Sequence, residues 1–338
     1  MILLWAMLGS MLLSSWGLRW DIQWHYRIGR DSFWIAPHLM TYAGVTLLVF
    51  LSFGTLVAGT LRPVKDRLRM FGLVGTPGVH LAAWGIALTV LAAPIDDLWH
   101  RLFGVDVTLW SPPHLLGLAG AGVNTLGCLV IAREVYPAGS RGKLAATLVA
   151  AAMFYGTLRV ASSQAFEFAQ GEGGVAFHAY AILGALLFPL ALVPAARLTG
   201  LRAAPLLVWI VAVLLRLSGE LVAAAGFRLT QPVSVLPSGT ASTSAWAVAD
   251  SAMVLIAPLV PVLVLVALDV RRRPLLASLG HGVILFALVA WIETISPALG
   301  PITPGIGATL IAVVLTGVAA LAGAVAGRWL GGILLRLS

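Results

Sequence analysis

"APHLMTYAGVTLLVFLSFGTLVAGTLRPVKDRLR" runs from Ala36 to Arg69. No Asp, Glu, Lys or Arg lies between His38 and Arg62, and Arg62, Lys65, Arg67 and Arg69 then follow in one short loop. A helix crosses the hydrocarbon core of a bilayer in roughly 20 apolar residues, so this run is long enough to span. The basic loop behind it marks a cytoplasmic end. The stretch therefore predicts a transmembrane helix that begins at Pro37-His38 on the outer side and leaves the membrane inside.

The same pattern recurs along the chain. We count ten apolar spans: 2–24, 36–61, 73–95, 112–133, 143–167, 175–197, 203–226, 246–269, 277–295 and 303–335. Of the 338 residues, 60% are hydrophobic and 10% charged, with a mean hydropathy of +0.98. Soluble domains carry about a quarter charged residues. The expected fold is all-α: a polytopic membrane helical bundle of about ten transmembrane helices, built from helical hairpins because a bilayer demands paired backbone groups. Residues 1–135 hold the hairpins discussed next, and residues 136–338 add further transmembrane helices to the same membrane domain. The first span lacks a basic leader and a small-residue cleavage site, so it reads as a retained helix.

The net charge is +8. Arg and Lys gather in alternate loops, at 62–72, 134–142, around Arg197 and Arg202, at Arg271–Arg273, and near Arg328 and Arg336. Topology explains this surplus without a nucleic-acid partner. Both termini are then cytoplasmic, and the loops carrying Asp31, Asp96, Asp97, Asp106, Glu167, Glu172 and Glu293 face outward, with a bacterial inner (plasma) membrane as the expected setting. The single cysteine, Cys128, forms neither an internal disulfide nor a thiolate cluster. Residues 227–245, rich in Pro, Ser, Thr and Gly, read as an outward loop.

Two outward turns say the same thing. "WDIQWHYRIGRDSFWIAPHLMTYAG" (Trp20–Gly44) aligns with "IDDLWHRLFGVDVTLWSPPHLLGLAG" (Ile95–Gly120). Asp21 meets Asp96, Trp24-His25 meets Trp99-His100, Gly29 meets Gly104 and Asp31 meets Asp106. After one extra residue in the second copy, Pro37-His38 meets Pro113-His114 and Gly44 meets Gly120. Asp21 and His25 are four residues apart and share a helix face. Pro37 suits the first turn of the next helix, so His38 reaches the same depth. Two imidazoles and a carboxylate with open positions suit copper, iron or zinc. The predicted ligands are Asp21, His25 and His38, with Asp96, His100 and His114 as a second set. Asp31 and Asp106 are read as supporting carboxylates that orient a ligating imidazole, or as helix caps. Trp20 and Trp24 suit an interfacial position. Glu167 and His178, around another outward turn, read as a fainter third copy, a supporting pair or a proton path. Glu220 and Arg216 allow an ion pair within the seventh span. His80 and His281 read as capping or interfacial residues. Hydrogen-bonded helix ends or a proton relay would also account for the paired Asp and His residues.

The spacing Asp-x3-His-x12-His resembles a metal site in the C subunit of the particulate methane and ammonia monooxygenases, and Asp96–His114 matches the x3 and x13 spacing of a second site there. The resemblance covers about residues 15–120; the family's Asn stands as Asp96 in this chain, and this chain has more spans. It implies copper at Asp21/His25/His38 and at Asp96/His100/His114, oxidation of a small or lipophilic substrate with O2, and companion membrane or periplasmic subunits. Residue types alone leave rivals open: metal storage or delivery, a zinc-dependent intramembrane hydrolase acting on membrane lipid, or a transporter with parallel repeats coupled to protons or metal. No phosphate-binding loop, nucleophile elbow or His-Glu-x-x-His motif is present.

Overall fold

The computed structural model describes residues 1–29, 33–62, 67–104, 110–235, 257–295 and 304–337; the side chains of Tyr26, 166–172 and 293–295 lie outside that description. Asp31, Asp106, the side chains of Glu167 and Glu293, and most of the 227–245 loop therefore also lie outside the described residues.

The chain is an all-helical membrane bundle. Its helices are α1 (Ile2–Arg27), α2 (Ala36–Leu61), α3 (Pro77–Phe103), α4 (Pro112–Val135), α5 (Arg141–Glu172), α6 (Ala179–Leu187), α7 (Pro189–Thr199), α8 (Ala204–Thr230), α9 (Leu259–Ala267), α10 (Pro274–Ile295) and α11 (Ile306–Arg336). Among the described residues, nine helical segments are long and apolar enough to cross a membrane. One of them is composite: a 3-10 turn at Gly174–His178 leads into α6, and Pro189 restarts the helix as α7. A proline inside a helix lacks the N–H donor that continuity needs. The expected span 246–269 is described only as α9.

Two departures sit at the third span. Helix α3 begins at Pro77 rather than residue 73, and a hairpin of β1 (Leu68–Met70) and β2 (Leu73–Gly75) precedes it. Leu68 pairs with Gly75 and Met70 with Leu73, so Phe71-Gly72 forms the two-residue loop. Both loop residues have positive φ, 49° and 80°, as the favoured hairpin turns require. His80 fastens this hairpin. It is buried, with Nε2 3.1 Å from the Leu68 carbonyl, so it supports the fold from inside rather than lying at the interface.

Helices α1 with α2, α2 with α3, and α3 with α4 pack as antiparallel neighbours. The ends of α1 and α3 and the starts of α2 and α4 thus share one end of the bundle, opposite the basic loops. Gly29 ends α1 at φ 94° and Gly104 ends α3 at φ 86°. Their N–H groups donate to the carbonyls of Trp24 (3.2 Å) and His100 (3.0 Å). Glycine reaches this left-handed region without a Cβ penalty, which explains why the two aligned glycines stop the two motif helices.

The α3–α4 crossing is a seam of small residues. A Cβ at Gly85 would strike the Asn124 backbone and lie 2.8 Å from the Gly120 carbonyl, and one at Gly120 would lie 2.6 Å from the Thr89 backbone nitrogen. Gly127 faces the Ala82 backbone in the same way. Within the seam, the Asn124 side-chain amide donates to the Ala82 carbonyl at 2.8 Å. Membrane helices lack a hydrophobic drive between them and associate through such close packing and interhelical hydrogen bonds.

At the basic end, the turn from α9 into α10 is held by charge. Arg202 donates to the carbonyls of Val266 and Ala267, both at 2.7 Å, and Arg271 donates to the Gly200 carbonyl. Arg271 also hydrogen-bonds both oxygens of Asp269 at 2.8 Å and holds that carboxyl down from 3.8 to about 2. A depressed carboxyl stabilises the fold above its unfolded value and loses that contribution as pH falls through the folded one. Asp269→Asn is therefore expected to lower the thermal midpoint at neutral pH, and the gap from wild type to close as pH approaches 2. Melting curves of both proteins across acid pH check this.

Candidate metal centre

Asp21 and His25 stand one turn apart near the end of α1, and His38 sits on the first turn of α2. The packing of α1 against α2 brings the three together. Asp21 Oδ1 lies 3.4 Å from His25 Nε2 and 3.0 Å from His38 Nε2. One ligand atom from each residue lies within 4.8 Å of the others. Metal–ligand bonds of about 2.0–2.2 Å at right or tetrahedral angles place neighbouring donor atoms about 2.8–3.6 Å apart. Both carboxylate–imidazole separations match that range. The three residues thus form a cluster whose donor types, and whose two carboxylate–imidazole separations, could hold a metal ion.

The imidazole of His38 is also aimed. Its Nδ1 lies 3.0 Å from the Phe33 carbonyl. A carbonyl and a carboxylate both only accept, so the ring can donate to either; a metal ion taking the Nε2 lone pair would leave the proton on Nδ1, where the Phe33 carbonyl accepts it. Such an outer partner fixes the tautomer and raises ligand basicity.

The aligned residues form a second, looser cluster. His100 Nε2 lies 3.3 Å from Asp96 Oδ2, and His114 Nε2 lies 3.5 Å from Asp96 Oδ1. The two histidines thus address different carboxylate oxygens, whereas Asp21 presents one oxygen to both. Asp96 is also more open, at 30% side-chain exposure against 16% for Asp21. His100 Nδ1 lies 3.3 Å from the Gly104 carbonyl, and His114 Nδ1 lies 2.8 Å from Ser111 Oγ. Ser111 is the N-cap of α4, yet its side chain makes no capping bond to the helix backbone. It serves His114 instead. Ser111→Ala is expected to weaken metal binding at this second cluster by about 10–100-fold, the usual effect of losing an outer-shell partner, with the first cluster unchanged. Competitive chelator titration of the two proteins measures it.

Tyr42 belongs to this region and was not foreseen. It stands four residues after His38 on α2, with ring centroids 5.9 Å apart, and it lies within electrostatic reach of both Asp21 and Asp96. The signal for it was the i, i+4 spacing from His38.

The tryptophans divide differently from the expectation. Trp20 and Trp24 are each 5% exposed and pack on Phe227 of α8, with Trp24 stacked at 5.9 Å. They bind α1 to α8 rather than anchoring it at the membrane interface. Trp110 donates to the Ala161 carbonyl of α5 at 2.9 Å, while its aligned partner Trp34 is exposed. Below the first cluster, Glu220 pairs with Arg216 as the spacing predicts, and it also accepts from Arg19 (2.6 Å) and Gln23 (2.5 Å).

His178 is buried, with its ring 4.8 Å from Phe286 and Nε2 3.4 Å from Thr309 Oγ1. His281 is wholly buried inside α10, against its reading as an interfacial residue. The side chain of Glu167 lies outside the described residues. No family model, curated protein or solved structure matches the chain.

Proposed function

We propose that the protein is an integral membrane metalloprotein whose Asp21/His25/His38 centre holds copper and oxidises a small or lipophilic substrate drawn from the bilayer. One observation carries the reading: a carboxylate oxygen within 3.0 and 3.4 Å of two imidazole nitrogens, at the membrane end of two packed helices. Ionisable groups at membrane depth are costly and persist where they work. Copper as the metal, and oxygen chemistry as the reaction, are drawn from the resemblance in ligand spacing. Asp96, His100 and His114 form the second centre on this reading. The protein supplies two neutral imidazoles, one held in its tautomer by the Phe33 carbonyl, and one anionic oxygen to offset the ion's charge.

Metal analysis of detergent-purified protein, loaded and then washed with a weak chelator, tests the reading. Retained copper supports it. Retained zinc overturns the copper assignment in favour of a lipid hydrolase, and retained iron overturns it in favour of a non-haem iron centre. No retained metal overturns the metalloprotein reading as a whole. For protein that retains copper, O2 uptake with a reductant and an apolar substrate then decides between oxidation and metal storage.

A further inference from the structure

A second polar region lies away from the Asp/His clusters, in the packing of α6 against α5 and α10. Tyr155 of α5 is 1% exposed, Tyr180 of α6 3%, and Ser278 and His281 of α10 are both 0%. Among the described residues, none of these side chains has a hydrogen-bond partner: both hydroxyls of the tyrosines, Ser278 Oγ, and both ring nitrogens of His281 are unmatched. They are neighbours. Phe188, at the break between α6 and α7, has its ring centroid 5.3 Å from Tyr155, 6.3 Å from Tyr180 and 6.3 Å from His281. Ser278 precedes His281 by three residues and so shares its face. Arg159 lies one turn along α5 and within electrostatic reach of Tyr155.

The region extends along the membrane normal. Ser278 and His281 sit about 6 and 10 Å into α10 from the basic end, at 1.5 Å per residue. Two residues before Tyr180, His178 is 1% exposed with an unmatched Nδ1, and its ring lies 4.8 Å from Phe286, about 18 Å into α10. Buried polar groups are almost always satisfied, by protein or by internal water. Four unmatched side chains grouped around Phe188, with His178 matched at Nε2 alone, are too costly to be packing residues alone.

We propose that His178, Tyr180, Tyr155, His281 and Ser278 line a hydrated proton pathway through the C-terminal half of the bundle, separate from the metal centre. The two histidines are the exchanging groups, because imidazole alone in this set carries one nitrogen that accepts a proton and another that releases one. The hydroxyls hold the water that joins them, and Phe188 is the apolar constriction between. The proton enters at one ring nitrogen and leaves from the other, which restores the charge but exchanges the tautomer, and rotation of the ring resets it for the next proton.

Two measurements on the full chain test this. In hydroxyl-radical footprinting by water radiolysis, Tyr155 and Tyr180 are expected to be oxidised despite their burial, while the equally buried Phe177 is protected. Protection of both tyrosines would overturn the pathway. In liposomes carrying a pH-sensitive dye and a potassium-diffusion potential, the wild-type protein is expected to pass protons above the protein-free rate. His281→Gln, which preserves polarity and bulk but does not shuttle protons, is expected to abolish the flux. No wild-type flux, or an undiminished flux in a His281→Gln protein that still retains its metal, contradicts the proposal.

Discussion

Metal retained after chelator washing is expected to fall by about one equivalent in His25→Ala and in His38→Ala, because each removes one of three protein ligands. Affinity should drop by more than about 100-fold, beyond the 10–100-fold that follows loss of an outer-shell partner. His100→Ala is expected to remove a second, more loosely held equivalent. That order follows from geometry: Asp21 turns one oxygen to both imidazoles, whereas Asp96 divides its two oxygens between them at 3.3 and 3.5 Å. His281→Gln is the control, since its ring lies in the α6–α10 packing, and its metal content should match wild type. Elemental analysis of the four variants, each checked for a monodisperse elution profile, measures the effect. Equal metal in wild type and His38→Ala would mean that the ion is held elsewhere.

The second large effect is structural. Gly85→Leu places a side chain where the backbone of Asn124 now lies, and Gly120→Ile does the same against Thr89. Overpacking of a core commonly costs about 1–3 kcal/mol. The obstruction in this case is main chain, which has no alternative rotamer, so the cost should reach the top of that range or exceed it. The seam also sets the register that carries His114 to Asp96. These variants are therefore expected to lower the thermal midpoint in detergent and to lose the second metal equivalent while keeping the first. The α1–α2 pair has its own contacts: a Cβ at Gly44 would lie 2.6 Å from the Ser10 carbonyl oxygen, and one at Gly17 would strike Thr41. A uniform loss of both equivalents would show that the two hairpins do not hold their sites independently.

Much of the fold was legible because hydropathy and charge vary sharply along the chain. Most apolar spans end at an arginine cluster or an acidic turn, the span 203–226 being an exception, and a bilayer permits little but helices between. The hairpin at Leu68–Gly75 was hidden for the same reason. Its second strand, Leu73–Gly75, is as apolar as the helix that follows, while its first, with Arg69, reads as part of the basic loop; only Pro77 and the Phe71-Gly72 pair mark the change. The six cluster residues could be read from spacing, since i, i+4 on one helix and a proline-led start on the next leave little freedom. Spacing does not reveal what a side chain meets across a helix interface. The inward packing of Trp20 and Trp24 on Phe227, the full burial of His281 and the service of Ser111 to His114 all depend on helix rotation and partner choice. Neither is written in one helix alone. The expected supporting carboxylates Asp31 and Asp106 lie outside the described residues. Within them, the outer partners of the imidazoles are the carbonyls of Phe33 and Gly104 and the hydroxyl of Ser111.

X-ray absorption at the copper edge, on protein loaded to the level it retains, tests the central claim most directly. The account predicts a first shell of nitrogen and oxygen at about 2.0–2.2 Å, with the outer-shell scattering of two imidazoles per ion and no sulfur. His38→Ala should reduce the imidazole count of the tightly held ion. A sulfur shell, or a spectrum free of imidazole scattering, would contradict an Asp/His centre between α1 and α2.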